Sequence, residues 1–380
     1  MIEALFWVCV VLTVYVYAGY PLLLWVLGHI RPETMVPDSP VLPSVTMIVP
    51  AHNEKDSIGA KIRNCESLIY PEGRLEVLFV SDGSTDGTAD IVRASSSQRV
   101  SLIELPSRSG KAAALNAALG RARGDVVLFT DASIELESLA VQQLVRRFAD
   151  PAIGCVSGED WIDGAGGEGL YGRYELFMRR QESAIGSIVG ASGSLYAQRR
   201  SLCHAFPPNL APDFFSVLKT VEAGYRAVSE PAARGRMSAL ASASDEFNRK
   251  VRTLLRGMTT MAAYKHLLSP WRYGVFSLSL WSHKVGRWLV PVFMLGALLS
   301  SAWLARSSTL YAVVLGVQAA AYASALLGSV FPTGPLGELL PVRVALYFVA
   351  SNVAVVVAYA KYLAGTRQEI WAPSNRSGRP

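Results

Sequence analysis

Cysteine is scarce in this 380-residue chain, and the four present, Cys9, Cys65, Cys155 and Cys203, show no CxxC pair and no metal-ligand spacing. That excludes a zinc ribbon and a disulfide scaffold, and it suits a reducing compartment. Charge is also thin, at 17% of residues against 51% hydrophobic. The shortage is local: Ala4 to Gly28 contains no Asp, Glu, Lys, Arg or His, and most charges lie between Arg31 and Arg287. Two phosphate-binding signatures are missing as well. Gly110-Lys111 has Leu105 where a Walker loop needs glycine and Ala112 where it needs Ser or Thr, and no GxGxxG follows the first strand-like run. A P-loop and a dinucleotide-binding fingerprint are thereby excluded.

What is present at the two ends is apolar sequence. About 20 apolar residues cross a bilayer core, so Ala4 to Gly28 predicts a transmembrane helix, and Leu289 to Ala305, Leu310 to Val330 and Val344 to Ala360 predict three more segments. Glu3 leads and Arg31 follows the first stretch, the reverse of a cleaved secretory signal. Between Tyr264 and Trp288, Trp271, Tyr273, Trp281 and Trp288 are interleaved with Arg272, His283, Lys284 and Arg287, which suits an amphipathic helix on the membrane surface. The expected organisation is a transmembrane helix over 1–30, a middle domain over 31–262 and an interfacial helix over 263–288. A cluster of about three membrane segments over 289–365 and a polar tail over 366–380 complete it. The net charge of +6 is explained by basic residues beside apolar stretches, where membrane lipids attract them, so no nucleic-acid partner is expected. Arg31, Lys284 and Arg287 place the middle domain in the cytoplasm by the positive-inside rule. Three further crossings would carry Lys361, Arg367, Arg376 and Arg379 to the other side, so one segment is expected to be re-entrant or interfacial.

Within the middle domain, Ser44 to Val49, Val77 to Val80 and Val126 to Phe129 read as buried parallel strands, and Ser57 to Ile69, Thr88 to Ser95 and Ala112 to Ala122 as the helices between them. The alternation predicts a doubly wound α/β sheet, whose ligands bind at the carboxyl ends of the strands. The polar motifs fall there: Pro50-Ala51-His52-Asn53-Glu54, the run Ser81 to Gly87, and Thr130-Asp131-Ala132-Ser133. Asp86 and Thr88 fit a turn and a helix cap. Asp82 and Asp131 differ, because two carboxylates at neighbouring strand ends repel unless a ligand or cation joins them.

Taken together, Val45 to Glu54, the VSDGSTDGT run from Val80 to Thr88, Gly110 to Asn116 and Phe129-Thr130-Asp131-Ala132 resemble the family 2 glycosyltransferases over roughly residues 43 to 262. The resemblance implies a GT-A catalytic domain, with membrane helices like those of hyaluronan, chitin-oligosaccharide and cellulose synthases, in a bacterial inner membrane. It implies a UDP-sugar donor and a lipid-linked or glycan acceptor. Pro50, His52, Asn53, Glu54 and Asp82 would surround the nucleotide, and Lys111 would reach it. Asp131 matches the first Asp of the family's DxD motif, which holds a divalent cation, Mg²⁺ or Mn²⁺; Ser133 replaces the second. Ser192 and Gly193 fall in the loop beside donor sugar and acceptor, and Asp213 falls where the family carries its catalytic base. Processive synthases carry QxxRW where this chain has Arg249-Lys250-Val251-Arg252-Thr253, so the stacking tryptophan is absent. Arg249, Lys250 and Arg252 retain the charge to neutralise a leaving diphosphate.

The implied chemistry is an inverting displacement, in which Asp213 takes the proton of an attacking hydroxyl. Processive polymerisation and a non-catalytic nucleotide-sugar-binding subunit are the alternatives. A sugar nucleotidyltransferase would need a glycine-rich loop where Pro50 to Glu54 stand.

Overall fold

The computed structural model describes residues 1–30, 41–162, 167–237, 242–331, 335, 337 and 339–367. Arg31, Arg376 and Arg379, and the tail beyond residue 367, lie outside the described residues. The chain starts with α1 (Ile2–Val14) and α2 (Tyr20–Ile30), which a π-helical turn at Tyr15–Gly19 joins into one apolar helix of 29 residues.

The middle domain follows in strict alternation at first. Its elements are β1 (Val45–Ala51), α3 (Lys55–Glu66), β2 (Leu75–Asp82), α4 (Thr88–Arg93), β3 (Val100–Leu105), α5 (Lys111–Leu119) and β4 (Val126–Thr130). Then come β5 (Glu135–Leu136), α6 (Ala140–Arg146), β6 (Ile153–Ile162), α7 (Gly167–Ile185), β7 (Leu195–Arg199), α8 (Pro212–Glu222), β8 (Arg226–Met237) and α9 (Ala243–Ala263). They form one eight-stranded sheet in the order β3-β2-β1-β4-β7-β6-β8-β5. Strands β3, β2, β1 and β4 are parallel, and β7 enters antiparallel beside β4. β1 is buried along its whole length because helices cover both faces of the sheet. Its successive residues alternate between two cores. Ile48 packs with Val127, Leu115 and Leu218 on one face; Met47 and Val49 pack with Leu128, Ile58 and Leu144 on the other. β1 also stands between β2 and β4, so Asp82 and Asp131 are not on adjacent strands, as the sequence reading had them.

After α9 the chain runs through α10 (Pro270–Ser279), a π-helical turn at Leu280–Val285 and α11 (Gly286–Leu304), then α12 (Thr309–Val330) and α13 (Leu340–Leu363). No break in the helix marks residue 288, where an interfacial helix was expected to give way to a membrane segment. Helix continues from Pro270 to Leu304, broken only at Gly274, whose φ of 54° no helix uses. Among the described residues, four helices are long and apolar enough to cross a membrane: Ile2–Ile30, Pro270–Leu304, Thr309–Val330 and Leu340–Leu363. The first two pack closely, because a Cβ at Gly286 would stand 2.9 Å from Val16 and one at Gly296 2.7 Å from Cys9.

A buried polar joint ties these helices to the middle domain. Glu182 of α7, fully buried, accepts from Tyr20 Oη at 3.1 Å and from the Val189 N–H at 3.1 Å, and its carboxylate lies 2.6 Å from His283 Nδ1. Glu175, two turns earlier, lies 3.1 Å from His283 Nε2 and pairs with Arg287. Both of these apolar helices thus dock on α7.

Candidate active site

The carboxyl end of β1 opens into a turn held by side chains from the end of β2. His52 Nδ1 lies 2.6 Å from the Asp82 carbonyl. Asn53 adopts φ 52°, and its Oδ1 accepts the Thr85 N–H at 2.9 Å. The Glu54 N–H donates to Thr88 Oγ1 at 2.9 Å, and the Glu54 carboxylate accepts the Ser57 hydroxyl at 2.6 Å. Asp86 accepts the N–H groups of Lys55 at 2.9 Å and Thr88 at 3.0 Å, the turn-and-cap role its motif suggests. Partial burial opposes its ionisation, but the bonds from Thr88 and Lys55 hold its carboxyl below the ordinary aspartate range.

Asp82, 3% exposed, accepts the Ser109 N–H at 2.6 Å and the Gly110 N–H at 2.8 Å. It therefore fixes the loop that leads into α5, whose first residue is Lys111. Lys111 Nζ lies 2.5 Å from Asp131 and 3.3 Å from the Gly193 carbonyl. The repulsion expected between Asp82 and Asp131 is thus relieved by the protein itself: backbone amides hold one carboxylate and a lysine holds the other.

The loop before β7 completes the wall. Ser192, fully buried, sets its hydroxyl 2.5 and 2.6 Å from the two Asp160 oxygens and accepts the N–H groups of Ser194 and Leu195, each at 3.0 Å. It shapes the loop and is not on the cavity wall; its neighbours Ala191, Gly193 and Ser194 are. A Cβ at Gly193 would stand 3.9 Å from an Asp213 carboxylate oxygen, so the bare glycine leaves Asp213 accessible from the loop side. Asp213 is the second residue of α8, after Pro212, where the helix N-terminus favours a carboxylate. Thr260 Oγ1 accepts the Ala211 N–H at 3.0 Å, and the Arg256 guanidinium donates to the Leu210 carbonyl, so α9 holds this helix start in place.

Arg249, Arg252 and Arg256 line one face of α9. Burial and the neighbouring Arg249 pull Arg252 below the ordinary arginine value, a strain that an anion would relieve. Lys250 does not join them. It turns to α13, 3.0 Å from Ser351 Oγ and 3.8 Å from the Tyr347 ring centroid, which removes it from the diphosphate role expected of it.

One cavity of about 420 Å³ brings together Glu54, Lys111, Asp131, Gly193, Asp213 and the face of α9. Pro50 borders a small recess beside it, shared with Lys111 and Asp213, whereas His52, Asn53 and Asp82 line neither. Asp160, Arg179, Lys284 and Trp288 also line the large cavity. Sequence reasoning passed over Asp160, which follows Glu159 near the end of a long strand, and read Lys284 and Trp288 as membrane-surface residues. Among the described residues no three His, Cys, Asp or Glu side chains converge into a metal cage. Asp131 and Ser133 do present oxygen donors on the cavity wall. That set suits Mg²⁺ or Mn²⁺ when substrate phosphates and water supply the other ligands.

A family model described as Glycosyl transferase family 2 matches residues 46–204. An N-acetylglucosaminyltransferase of Rhizobium leguminosarum bv. trifolii is 35% identical over 123 residues, which is 31% of this chain and 67% of that protein. An N-acetylglucosaminyltransferase of Rhizobium meliloti (strain 1021) is 33% identical over 171 residues, 42% of this chain and 40% of that one. The chain spans less than half the length of several of the curated relatives it matches. Among solved structures, the mannosyltransferase PcManGT from Pyrobaculum calidifontis, in complex with GDP-Man and Mn²⁺, superposes with a TM-score of 0.74 at 26% identity. The match covers 96% of this chain and 100% of that one.

Proposed function

The chain belongs to glycosyltransferase family 2, and from that premise we propose that it moves a sugar from a UDP-sugar to a lipid-linked or glycan acceptor. We place the reaction at the cytoplasmic face of a bacterial inner membrane, a reading supported by the basic residues that flank the apolar segments. The observation that carries the proposal is the meeting, in one cavity, of the Lys111–Asp131 pair, the Gly193 loop and Asp213.

In this reading the donor diphosphate lies between Lys111 and the arginine face of α9, where Arg249 and Arg252 balance the negative charge of the departing nucleotide. Asp131, with Ser133 on the same wall, would hold a divalent cation, which when bound compensates the charge of the leaving diphosphate. Asp213 accepts the proton of the acceptor hydroxyl as that oxygen attacks the anomeric carbon, inverting its configuration. Thr253 stands on the cavity wall where processive synthases carry their stacking tryptophan, which favours single addition over processive synthesis even though Trp288 lines the same cavity.

A guanosine donor is the second reading, favoured by the full-length likeness to a mannosyltransferase bound to GDP-Man. Nucleotide release by the detergent-purified chain, measured over a panel of UDP- and GDP-sugars with extracted membrane lipids as acceptors, tests both. Release of UDP supports the first reading and release of GDP the second. Release of neither, from a chain that binds UDP, would support the non-catalytic alternative.

A further inference from the structure

Two cations in the cavity are not used by the chemistry above. Arg179 of α7 and Lys284 of the helix Pro270–Leu304 both line it, and neither side chain makes a hydrogen bond or ion pair with another described residue. The two nearby acids are engaged elsewhere: Glu175 serves Arg287 and His283, Glu182 serves His283 and Tyr20, and both reach Lys284 only through their charge. Lys284 instead faces the Phe214 ring at 5.5 Å and stands beside Trp288, its neighbour one turn on. A cation among apolar rings is stabilised chiefly by an anion brought to it.

The position of Lys284 relative to Asp213 is set by one loop. A Cβ at Gly190 would stand 3.3 Å from the Lys284 ammonium, and one at Gly193 stands against Asp213. Three residues of chain reach at most about 11 Å. Lys111 meets the same loop at the Gly193 carbonyl. The loop therefore has a donor side, at Lys111 and Asp131, and a membrane side, at Lys284.

We propose that Lys284 and Arg179 form an acceptor subsite for a lipid-borne phosphate, which positions a hydroxyl a few bonds away at Asp213. The proposal deepens the transferase reading and rests on it. Lys284 is carried by a helix apolar enough to cross the membrane, and this assigns the phosphate to a lipid rather than to a soluble sugar phosphate. The acceptor class is then a membrane lipid whose sugar or glycerol hydroxyl lies close to its phosphate.

The test is equilibrium binding to the purified full chain in nanodiscs with UDP present. Three probes are compared: N-acetylglucosamine linked through diphosphate to a short isoprenyl chain, the dodecyl glycoside of the same sugar, and its soluble 1-phosphate. The lipid diphosphate should bind at least about tenfold more tightly than either of the others, the value of one charge-assisted hydrogen bond. Lys284→Met and Arg179→Gln should reduce it to the level of the glycoside, while Lys284→Arg keeps the preference and so separates charge from folding. Equal binding of the glycoside, a preference that survives Lys284→Met, or a loss of UDP affinity in that variant would overturn the proposal. Equal binding of the soluble phosphate would overturn its lipid assignment. Transfer assayed in parallel keeps the two readings apart. A binding preference without nucleotide release sinks the transferase and leaves the subsite, whereas release onto both lipid probes at equal KM does the reverse.

Discussion

Asp213 owes its place to short-range choices: Pro212 starts α8, Thr260 fixes the residue before it, and Gly193 leaves the carboxylate uncovered. A base so placed contributes roughly 10²–10⁴-fold to rate. Asp213→Asn should therefore lower turnover by about that factor while UDP affinity, measured by calorimetry, stays within about twofold; near-normal turnover would end its assignment as base. Asp82 is a different kind of carboxylate. In Asp82→Asn one oxygen becomes a donor facing the Ser109 or Gly110 N–H, so that amide is orphaned at a cost of roughly 1–3 kcal/mol. The loop delivering Lys111 should loosen, and the donor KM should rise more than kcat falls. The residues of this site were only partly legible in the sequence. Asp131, Lys111, Gly193 and Asp213 were found through motifs and do share a cavity. The partners of Asp82 were not, since the amides that hold it lie 27 and 28 residues away, and the Gly110 motif was read for its lysine and not for its backbone N–H.

At the scale of elements, strands buried on both faces announce themselves and edge strands do not. β1 and β4 are buried throughout and read directly as apolar runs, whereas in β3, at the sheet edge, only Ile103 is buried. β6 and β8 carry Ser157, Glu159 and Glu230 inside the domain, so their hydrophobic pattern is diluted. The joint on α7 was invisible for a related reason, because Glu182 and His283 are 101 residues apart and each alone looks like a surface residue. Glu182→Ala would leave Tyr20, the Val189 amide and His283 without their shared acceptor, at a cost of about 3–5 kcal/mol for breaking a buried polar pair. The detergent-solubilised variant should melt well below the parent chain. Glu175 gives the joint a pH signature. Burial opposes its ionisation, but Arg287 and His283 hold its carboxyl well below the ordinary glutamate value of 4.5. A depressed acid stabilises the fold above its unfolded value and loses that contribution as pH falls. Melting temperature should thus drop on acidification below about pH 4.5, and Glu175→Gln should flatten the drop.

For the whole molecule, the unresolved question from composition was the side on which the chain ends. Four full crossings would separate Lys361 and Arg367 from the catalytic domain, against the positive-inside tendency. The packing of α13 argues otherwise. Its second half is built into the domain's own core, with Ala354, Val355 and Ala358 buried in one cluster with Val251, Leu255 and Met258 of α9. Lys250 of α9 bonds Ser351 at 3.0 Å. Lys361 follows Ala358 by less than one turn, so we predict that the basic end of α13 lies on the side of the catalytic domain and that α13 is the segment that does not complete an independent crossing. An Arg367→Cys variant in sealed inverted vesicles, with the catalytic domain outward, should react with a membrane-impermeant maleimide as fast as a cysteine placed at the exposed Glu72. The native cysteines contribute little background, since Cys9, Cys65 and Cys155 are buried and Cys203 is half-buried. Labelling only after the vesicles are opened would mean that α13 crosses after all, and that its contact with α9 is made from within the bilayer.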